Sequence, residues 1–254
     1  MRNIKQDYFL NRSSCRYFSD TPLSINKIEE IIGKAMKAPT CGNMQLYSVV
    51  ITTDTKNKDK LATLHYNQPA STTAPIILTV CADYNRFTRW CDLSDADPGC
   101  DNIHCFLTAM TDAIILTQQI VTIAEMEGLG TCYLGTVVYN AKEIAKLLEL
   151  PKLVVPVASI SIGYPEKPGE ETLRLPLSAI IHKEKYRKDS NQQILDFYKA
   201  EEENAMNIKF MNENGKDKLA QVFTDIRYPR STNEMISKTF MDFIKLQGFN
   251  KNPQ

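Results

Sequence analysis

Three residues near the start of the chain have the types and spacing to bind an anion. In the segment Asn11–Phe18, the residues Arg12, Ser14 and Arg16 lie two positions apart. Alternate side chains of an extended segment point to the same side, so these three would face one ligand. Two guanidinium groups around a hydroxyl suit a phosphate. Taken alone, a solvated basic segment is the more ordinary interpretation of the same residues.

A second stretch, Gly128–Gly135, has three glycines in eight residues and follows the most apolar helical pattern in the chain. Gly128 stands where a left-handed residue would end that helix, because glycine has no Cβ to hinder this backbone conformation. A helix end leaves Gly130 and Gly135 unexplained. Glycine also lets main-chain N–H groups approach a ligand closely. We therefore expect the backbone to bend around a flat ligand here, with a simple helix stop as the alternative.

Two further segments offer polar contacts. The loop Pro39–Tyr47 carries amide and hydroxyl side chains but no ionised group. Arg174 stands among apolar residues in Leu173–Pro176, and an arginine so placed usually has an anionic partner. Together with the arginine-serine cluster and the glycine stretch, these segments predict a site that holds a phosphate at one end and a planar ring at the other.

Other kinds of site find little support. The histidines at positions 65, 104 and 182 are far apart and lie in no hydrolase motif. Four residues are of types that bind zinc: Cys91, Cys100, His104 and Cys105. They lack CxxC spacing, so ordinary thiols near a helix start are the better interpretation. We predict no metal site. No GxGxxG follows the first strand and no P-loop motif exists, so neither a dinucleotide-binding Rossmann unit nor a P-loop is predicted.

The composition narrows the partners. The 254 residues contain 30 Lys plus Arg and 30 Asp plus Glu, so no overall field attracts nucleic acid or an anionic membrane. The first 20 residues lack a signal sequence, and the apolar runs look too short to span a membrane. The seven cysteines show no CxxC pair. We expect a cytoplasmic protein with reduced thiols, no nucleic-acid partner and no membrane anchor.

Periodicity outlines the elements that must position these residues. Helical spacing predicts helices after the capping residue Ser24 and over Lys56–Tyr66, Phe106–Glu127 and Ala141–Leu150. Apolar and β-branched runs predict strands over Leu46–Thr53, Pro75–Ala82 and Val154–Gly163. We expect a connector over Gln68–Pro75 and an irregular surface segment over Asp83–Asp101. Beyond His182 the chain is charged and largely helical, with too few apolar residues for a core of its own.

These features in this order resemble the nitroreductase and NAD(P)H-flavin reductase family of FMN proteins. The Arg12–Phe18 segment is similar to the family's N-terminal phosphate motif, and Ala38–Gln45 to its Ala-Pro-Ser-Ser-x-Asn-x-Gln loop. Further landmarks follow in the family's order at Ala74–Pro75, Gly128–Gly135 and Ile162–Pro165. Cys81–Arg86 and Leu173–Pro176 resemble the larger, often NADPH-preferring branch. The likeness covers roughly residues 8 to 182 and, more loosely, the tail.

The resemblance implies an α+β, nitroreductase-like fold, with a central and mainly antiparallel sheet flanked by helices. It implies a homodimer with two FMN sites at the subunit interface. Residues 1–182 would form the FMN-binding core. Residues 183–254 would form a helical C-terminal arm that packs on the core or on the partner subunit, within one domain overall.

The resemblance also implies the roles of individual residues. The phosphate and ribityl end of FMN would meet Arg12, Ser14, Arg16 and Arg174, with Arg16 also near N1 and the C2 carbonyl. Gln68 would bind the polar edge of the ring. Backbone N–H groups would be brought toward N5 by Tyr133, Leu134, Gly135 and Thr136. The same flavin would be reached from the other subunit by Thr40, Cys41 and Asn43.

The function implied is that of an FMN-dependent NAD(P)H oxidoreductase. NAD(P)H would reduce the flavin, and a nitroaromatic, a quinone or free flavin would then take the electrons in a ping-pong cycle. A fixed cation near N1 favours reduction because the reduced ring carries negative charge there. No protein nucleophile is needed. The alternative is an FMN-binding sensor or storage module without significant turnover.

Two departures from the larger branch bear on the nicotinamide cofactor. Thr172 stands where that branch usually has a lysine, which removes one phosphate contact. The acidic segment Ala200–Asn204 lies near the position of basic residues that bind the extra phosphate of NADPH. Like charge there disfavours NADPH, so we predict only a weak preference for NADPH over NADH.

Overall fold

In the computed structural model, the structure describes residues 4–170 and 172–251, with side chains from residue 8 onward. These residues fall into two units. The first comprises the described residues up to 170 and from 238 on, and the second comprises those between 171 and 237. The predicted organisation, with a core to residue 182 and an arm beyond it, stays a prediction, and each unit is described in turn.

The first unit is built on a four-stranded antiparallel sheet. Its strands are β1 (Tyr47–Thr52), β2 (Ile76–Asp83), β3 (Gly130–Tyr133) and β4 (Val154–Gly163). They lie in the order β1-β2-β4-β3, and every neighbouring pair is antiparallel. The predicted α+β class and antiparallel sheet are confirmed, as are the three predicted strands.

The apolar runs of β2 and β4 are continuous because both faces of the sheet are covered. Side chains alternate between the faces of a strand. Ile76 and Leu78 belong to the main core with the long helix, whereas Ile77 belongs to a separate cluster with Leu61 and Ile144 on the other face. Every residue of β2 and β4 is buried.

Helices surround this sheet in the first unit. They are α1 (Ile4–Asn11), α2 (Ile25–Ala35), α3 (Thr55–Leu64), α4 (Pro69–Thr73), α5 (Asn85–Asp92), α6 (Ile103–Met126) and α7 (Ala141–Leu147). Ser24 caps α2 by accepting a hydrogen bond from the Lys27 N–H, as predicted. Gly128, with φ of 86°, follows the end of α6 in the left-handed conformation, also as predicted.

Two segments predicted to be irregular are helical. The connector Gln68–Pro75 contains α4, because Pro69 is favourable in the first turn of a helix. The segment Asp83–Asp101 contains α5, where Cys91 is buried and Phe87 packs against the main core. Polar residues on the exposed side of α5 obscured this short amphipathic pattern.

The prediction that the apolar runs are too short for a membrane span was wrong. By length and composition, α6 is apolar enough to cross a membrane, which is weak evidence because a core helix of a soluble protein passes the same test. Phe106, Ala109 and Ile120 on this helix are buried in the main core. Asp112 is also buried, and it is bound to a neighbouring loop. In this chain α6 is therefore the central core helix.

The second unit is helical, as the sequence predicted for the region beyond His182. It contains α8 (Leu177–Ile180), α9 (Asn191–Glu202), α10 (Ala205–Glu213) and α11 (Leu219–Gln221), followed by a π-helical segment over Val222–Arg227. The last helix, α12 (Arg230–Leu246), spans the boundary at residue 237. The prediction that this region has too few apolar residues for a core of its own was wrong, because Met211, Leu219 and Val222 form a small core in the second unit.

Candidate functional site

A cluster of six buried residues brings three of the predicted binding segments together. Its members, which we call the six-residue cluster, are Cys15, Phe18, Ala70, Ala74, Cys132 and Leu134. They come from the arginine-serine segment, from the Gln68–Pro75 segment and from the glycine stretch. Segments that are far apart in sequence therefore meet, as the predicted phosphate and ring site requires.

Backbone contacts fix the arginine-serine segment beside β3. The Cys15 N–H donates to the Thr131 carbonyl over 2.8 Å, and Phe18 forms a β-bridge with Pro165. Cys15 crosses so close to Gly130 that a Cβ on this glycine would lie 2.6 Å from the Cys15 Cβ. The close approach of two backbones explains Gly130, which a helix end did not.

Arg12 is bound to a buried carboxylate. Its Nε and Nη2 donate to the two carboxylate oxygens of Glu125, each over 3.2 Å. Glu125 also accepts hydrogen bonds from the hydroxyls of Tyr8 and Thr131. Burial, together with the hydrogen bond to Glu125, raises the pKa of Tyr8 to about 12, so its phenol stays protonated as a donor. Arg12 is thus held in place and partly neutralised by its own chain.

Arg16 differs from Arg12 in having no such carboxylate. It is exposed, and none of the described residues forms a hydrogen bond or an ion pair with it. The neighbouring Cys15 is bonded to Thr131, which holds this segment beside the glycine stretch. Burial raises the pKa of the Cys132 thiol, and the charges of Arg16 and Arg12 oppose this shift. Ser14, between the two arginines, is half-buried. Its carbonyl oxygen lies so close to Gly169 that a Cβ on this glycine would be 2.7 Å away.

The predicted ring-binding turn offers two backbone N–H groups. The Leu134 N–H is already bonded to the Ser159 carbonyl over 2.8 Å, and its side chain is buried. In the described chain, by contrast, the N–H groups of Gly135 and Thr136 have no backbone acceptor and no side-chain cap. Space beside Gly135 is open, because a Cβ there would meet no atom within 4 Å. Tyr133 is 44% exposed next to this opening.

Gln68 lies at the start of α4, close to the same turn. Its carbonyl accepts a hydrogen bond from the Ser71 hydroxyl, whereas its side-chain amide bonds to none of the described residues. Three residues earlier, the ring nitrogen Nδ1 of His65 lies 2.8 Å from the Thr136 hydroxyl. Gln68 and the ring-binding turn are therefore joined through His65.

The loop predicted to serve the other subunit is held elsewhere. The buried carboxylate of Asp112 accepts hydrogen bonds from the N–H groups of Cys41 (2.9 Å) and Leu46 (3.4 Å). The Thr40 hydroxyl is buried and has no partner among the described residues, while Cys41 and Asn43 are exposed. Asp112 and Glu125 are thirteen residues apart on α6, so about 20 Å separates the two anchors along the helix axis. The Thr40–Asn43 loop thus lies far from Arg12 of its own chain.

Arg174 belongs to the second unit. It is exposed, and its Nη1 donates to the Thr172 hydroxyl over 2.6 Å and to the Thr172 and Leu173 carbonyls. These local contacts leave the other guanidinium nitrogens without a described partner. Its predicted meeting with the N-terminal arginines stays a prediction.

Three residues that organise this site were not predicted from the sequence: Asp112, Glu125 and His65. A signal for the first two was present, because they are the two acidic residues of the apolar helix α6. An ionisable residue in such a pattern usually has a partner. His65 had no comparable signal, since a lone histidine at a helix end is common in any soluble protein.

The cysteines form no metal centre in the described part of the chain. No group of three or more His, Cys, Asp or Glu side chains there could hold a metal ion, and all seven cysteines are free thiols. Burial raises the pKa of Cys100 to about 12, so this thiol stays protonated.

Comparisons with known proteins agree with this geometry. A crystal structure from Bacteroides fragilis superposes with a TM-score of 0.94 at 38% identity, covering 96% of this chain and all of that one. The FMN reductase (NAD(P)H) of Bacillus subtilis is 31% identical over 89% of this chain and 92% of its own length. The Cr(VI) reductase of a Pseudomonas strain is 30% identical over 94% and 96%. A profile of the nitroreductase family matches residues 10–94 and 105–164, and the chain belongs to that family.

Proposed function

We propose that this protein is an FMN-dependent NAD(P)H oxidoreductase that passes electrons to nitroaromatics, quinones or free flavin by a ping-pong mechanism. One observation supports the proposal most strongly. Next to members of the six-residue cluster in sequence stand Arg16, the Gln68 amide and the N–H groups of Gly135 and Thr136, none of which has a partner among the described residues. These are the donors that a phosphate and a flavin ring edge require.

The residues of the chain would bind and orient the cofactor. Arg16, with Ser14 and Arg174, would hold the phosphate and ribityl end, and Arg12 would support them from its fixed place on Glu125. Gln68 would meet the polar edge of the ring, and the turn Tyr133–Thr136 would bring the backbone N–H groups of Gly135 and Thr136 toward N5. When bound, FMN supplies the two-electron chemistry that links the nicotinamide donor to the acceptor. The protein's part is the fixed positive charge and the aligned dipoles.

The relatives favour catalysis over the sensor or storage alternative, because two similar proteins carry the names FMN reductase and Cr(VI) reductase. We propose a homodimer with a composite site. The separation of about 20 Å between the anchors on α6 supports the assignment of Thr40, Cys41 and Asn43 to the flavin of the partner subunit. We also propose a cytoplasmic location.

The preference for NADPH is proposed to be weak. In the second unit, Glu202 accepts hydrogen bonds from the Leu219 N–H, and Glu203 pairs with Lys199 over 3.8 Å. Three consecutive glutamates still leave this segment acidic, and acid repels the extra phosphate of NADPH.

Steady-state kinetics tests the proposed activity. Purified protein loaded with FMN is expected to oxidise NADH and NADPH in the presence of menadione or nitrofurazone, with parallel double-reciprocal lines. The ratio of kcat/KM for the two donors should lie within about tenfold. FMN binding without turnover would favour the storage module, and a ratio strongly in favour of NADPH would refute the argument from the acidic segment.

A further inference from the structure

We propose that His65 is a positioning residue that holds Thr136, and with it the N–H groups of Gly135 and Thr136, in the place where they meet the flavin ring. This inference rests on the proposed function. It goes beyond it by assigning a role to a buried side chain that would not itself touch the cofactor.

His65 connects the segment that leads to Gln68 with the turn at Thr136, and the proposed site needs both in fixed relative positions. It is fully buried, and its Nδ1 lies 2.8 Å from the Thr136 Oγ1. Two other contacts join the same segments. The Asn140 side-chain amide donates to the Leu64 carbonyl over 2.6 Å, and the rings of Tyr66 and Tyr139 meet edge to face at 6.4 Å. Of these three contacts, the one made by His65 reaches the turn itself.

The segment after His65 bends sharply where α3 ends. Tyr66 and Asn67 follow it with φ of 59° and 49°, in the left-handed region that residues with side chains adopt at a cost. Gln68 comes next and begins α4. Backbone bonds from the Tyr66 N–H to the Thr63 carbonyl and from the Asn67 N–H to the Ala62 carbonyl hold this bend, and the contact with Thr136 ties it to the turn.

The surroundings of the ring select one tautomer. Its Nε2 is buried and has no hydrogen-bond partner among the described residues. A buried N–H without an acceptor is rarer in proteins than an unpaired acceptor. The proton of the neutral ring therefore belongs on Nδ1, and Nδ1–H donates to Thr136 Oγ1. Burial lowers the pKa of His65 to about 4, which keeps the ring neutral in the ordinary working range.

A turn that His65 holds in place affects both the affinity for FMN and the reduction potential of the bound flavin. Dipoles that are already fixed need no reorganisation when the cofactor enters, so affinity is higher. N–H donors directed at N5 would favour the oxidised ring, whose N5 accepts a hydrogen bond, over the reduced ring, whose N5 carries a hydrogen, so they would lower its reduction potential. Loosening the turn should lower the affinity for FMN and raise the reduction potential, while leaving the rest of the fold in place.

Two pairs of variants separate positioning from simple packing. In His65→Asn the amide nitrogen can occupy the place of Nδ1, whereas in His65→Gln it reaches the place of Nε2. Thr136→Ser keeps the hydroxyl, and Thr136→Val removes it at nearly constant shape. Thr63→Ala, on the exposed side of α3, serves as the control. The measurements are the Kd for FMN, the midpoint potential of the bound flavin and the thermal unfolding of the FMN-free protein.

We expect His65→Gln and Thr136→Val to bind FMN about tenfold more weakly and to raise the midpoint potential. His65→Asn and Thr136→Ser should recover most of both. The inference would be overturned if the two variants at one position had the same Kd for FMN and the same midpoint potential. This holds whether both variants resemble the wild type or both are impaired. If His65→Gln does not fold, the threonine pair decides alone.

Nuclear magnetic resonance of the FMN-free protein supplies a test independent of the cofactor. With ¹⁵N-labelled histidine, the Nδ1 of His65 should resonate as a protonated ring nitrogen and the Nε2 as an unprotonated one. The opposite assignment would overturn the proposed donor. Wild-type protein that binds no FMN would refute the proposed function instead, and the tautomer measurement would still report on the contact.

Discussion

Two arginines of the same segment have different surroundings, and this difference predicts different roles. Arg12 is held by the buried Glu125, whereas Arg16 has no hydrogen-bond or ion-pair partner in the described part of the chain. An arginine without a partner is available to a ligand, and an arginine bound to a buried carboxylate also supports the fold. The sequence showed the pair but could not show which member was free, because Glu125 is more than a hundred positions away.

Arg16→Ala is therefore expected to weaken FMN binding without affecting stability. The loss of charge-assisted hydrogen bonds should raise the Kd about 10- to 100-fold, measured by fluorescence titration. Lys60→Ala, which removes an exposed positive charge from α3, is the matched control. Unchanged FMN affinity in Arg16→Ala would contradict the assigned role.

Glu125→Ala should instead destabilise the protein. It removes the shared acceptor of Arg12, Tyr8 and Thr131 and leaves these donors unpaired. We expect the free energy of unfolding to fall by about 1–3 kcal/mol in urea titrations. A stability equal to that of the wild type would show that this network contributes little.

His65 should make stability depend on pH in a defined direction. Its folded pKa of about 4 lies below the unfolded value, so the unfolded chain takes up a proton first as the pH falls. This contribution is fully present above about pH 6.5 and is lost as the pH falls toward 4, to a total of roughly 3 kcal/mol. Urea unfolding of wild type and His65→Asn between pH 4 and 7.5 measures it. The wild type should lose more stability than the variant, and parallel curves would contradict the burial argument.

At the scale of elements, long periodic segments were predictable and short ones were not. The helix α6 and the strands β2 and β4 carry continuous apolar patterns, and the sequence located them within a few residues. The strand β3 was missed because it has four residues and begins with glycine, which is unfavourable in strands by itself. It forms because β4 pairs with it on one side and the segment near Cys15 on the other.

Two glycine substitutions test the packing between these elements. Gly130→Ala would place a Cβ 2.6 Å from that of Cys15, so the arginine-serine segment must move away from β3. We expect lower stability and weaker FMN binding. Gly33→Ala, in the open on α2, should instead stabilise the protein by about 0.5–1 kcal/mol, because alanine favours a helix. Thermal unfolding distinguishes the two variants. Equal effects of Gly130→Ala and Gly33→Ala on stability would refute the close contact between Gly130 and Cys15.

At the scale of the whole molecule, the sequence motifs predicted a site that one chain does not complete. The six-residue cluster gathers three predicted segments, while the Thr40–Asn43 loop is anchored about 20 Å away along α6. Residue types and spacing could indicate that these segments bind the same cofactor. The proposal that two copies contribute rests in addition on where α6 places its two carboxylates, which residue types and spacing do not show.

Mixed dimers test the composite site. Arg16→Ala and Cys41→Glu, which adds a carboxylate at an exposed loop position, should each bind FMN weakly as pure proteins. Co-expressed in equal amounts, half of the dimers are mixed and contain one intact site, so about a quarter of all sites should recover wild-type affinity. If no site in the mixed dimers recovers wild-type affinity, the Thr40–Asn43 loop and Arg16 either serve the same site within one chain or serve different sites.

Analytical ultracentrifugation with detection at 280 and 450 nm tests the central claim, that flavin is bound at a seam between two copies. Bound flavin absorbs at about 370 and 450 nm. We predict that the 450 nm absorbance sediments with a dimer, at one FMN per chain. A colourless dimer, or flavin absorbance that sediments with a monomer at the same affinity, would contradict the account.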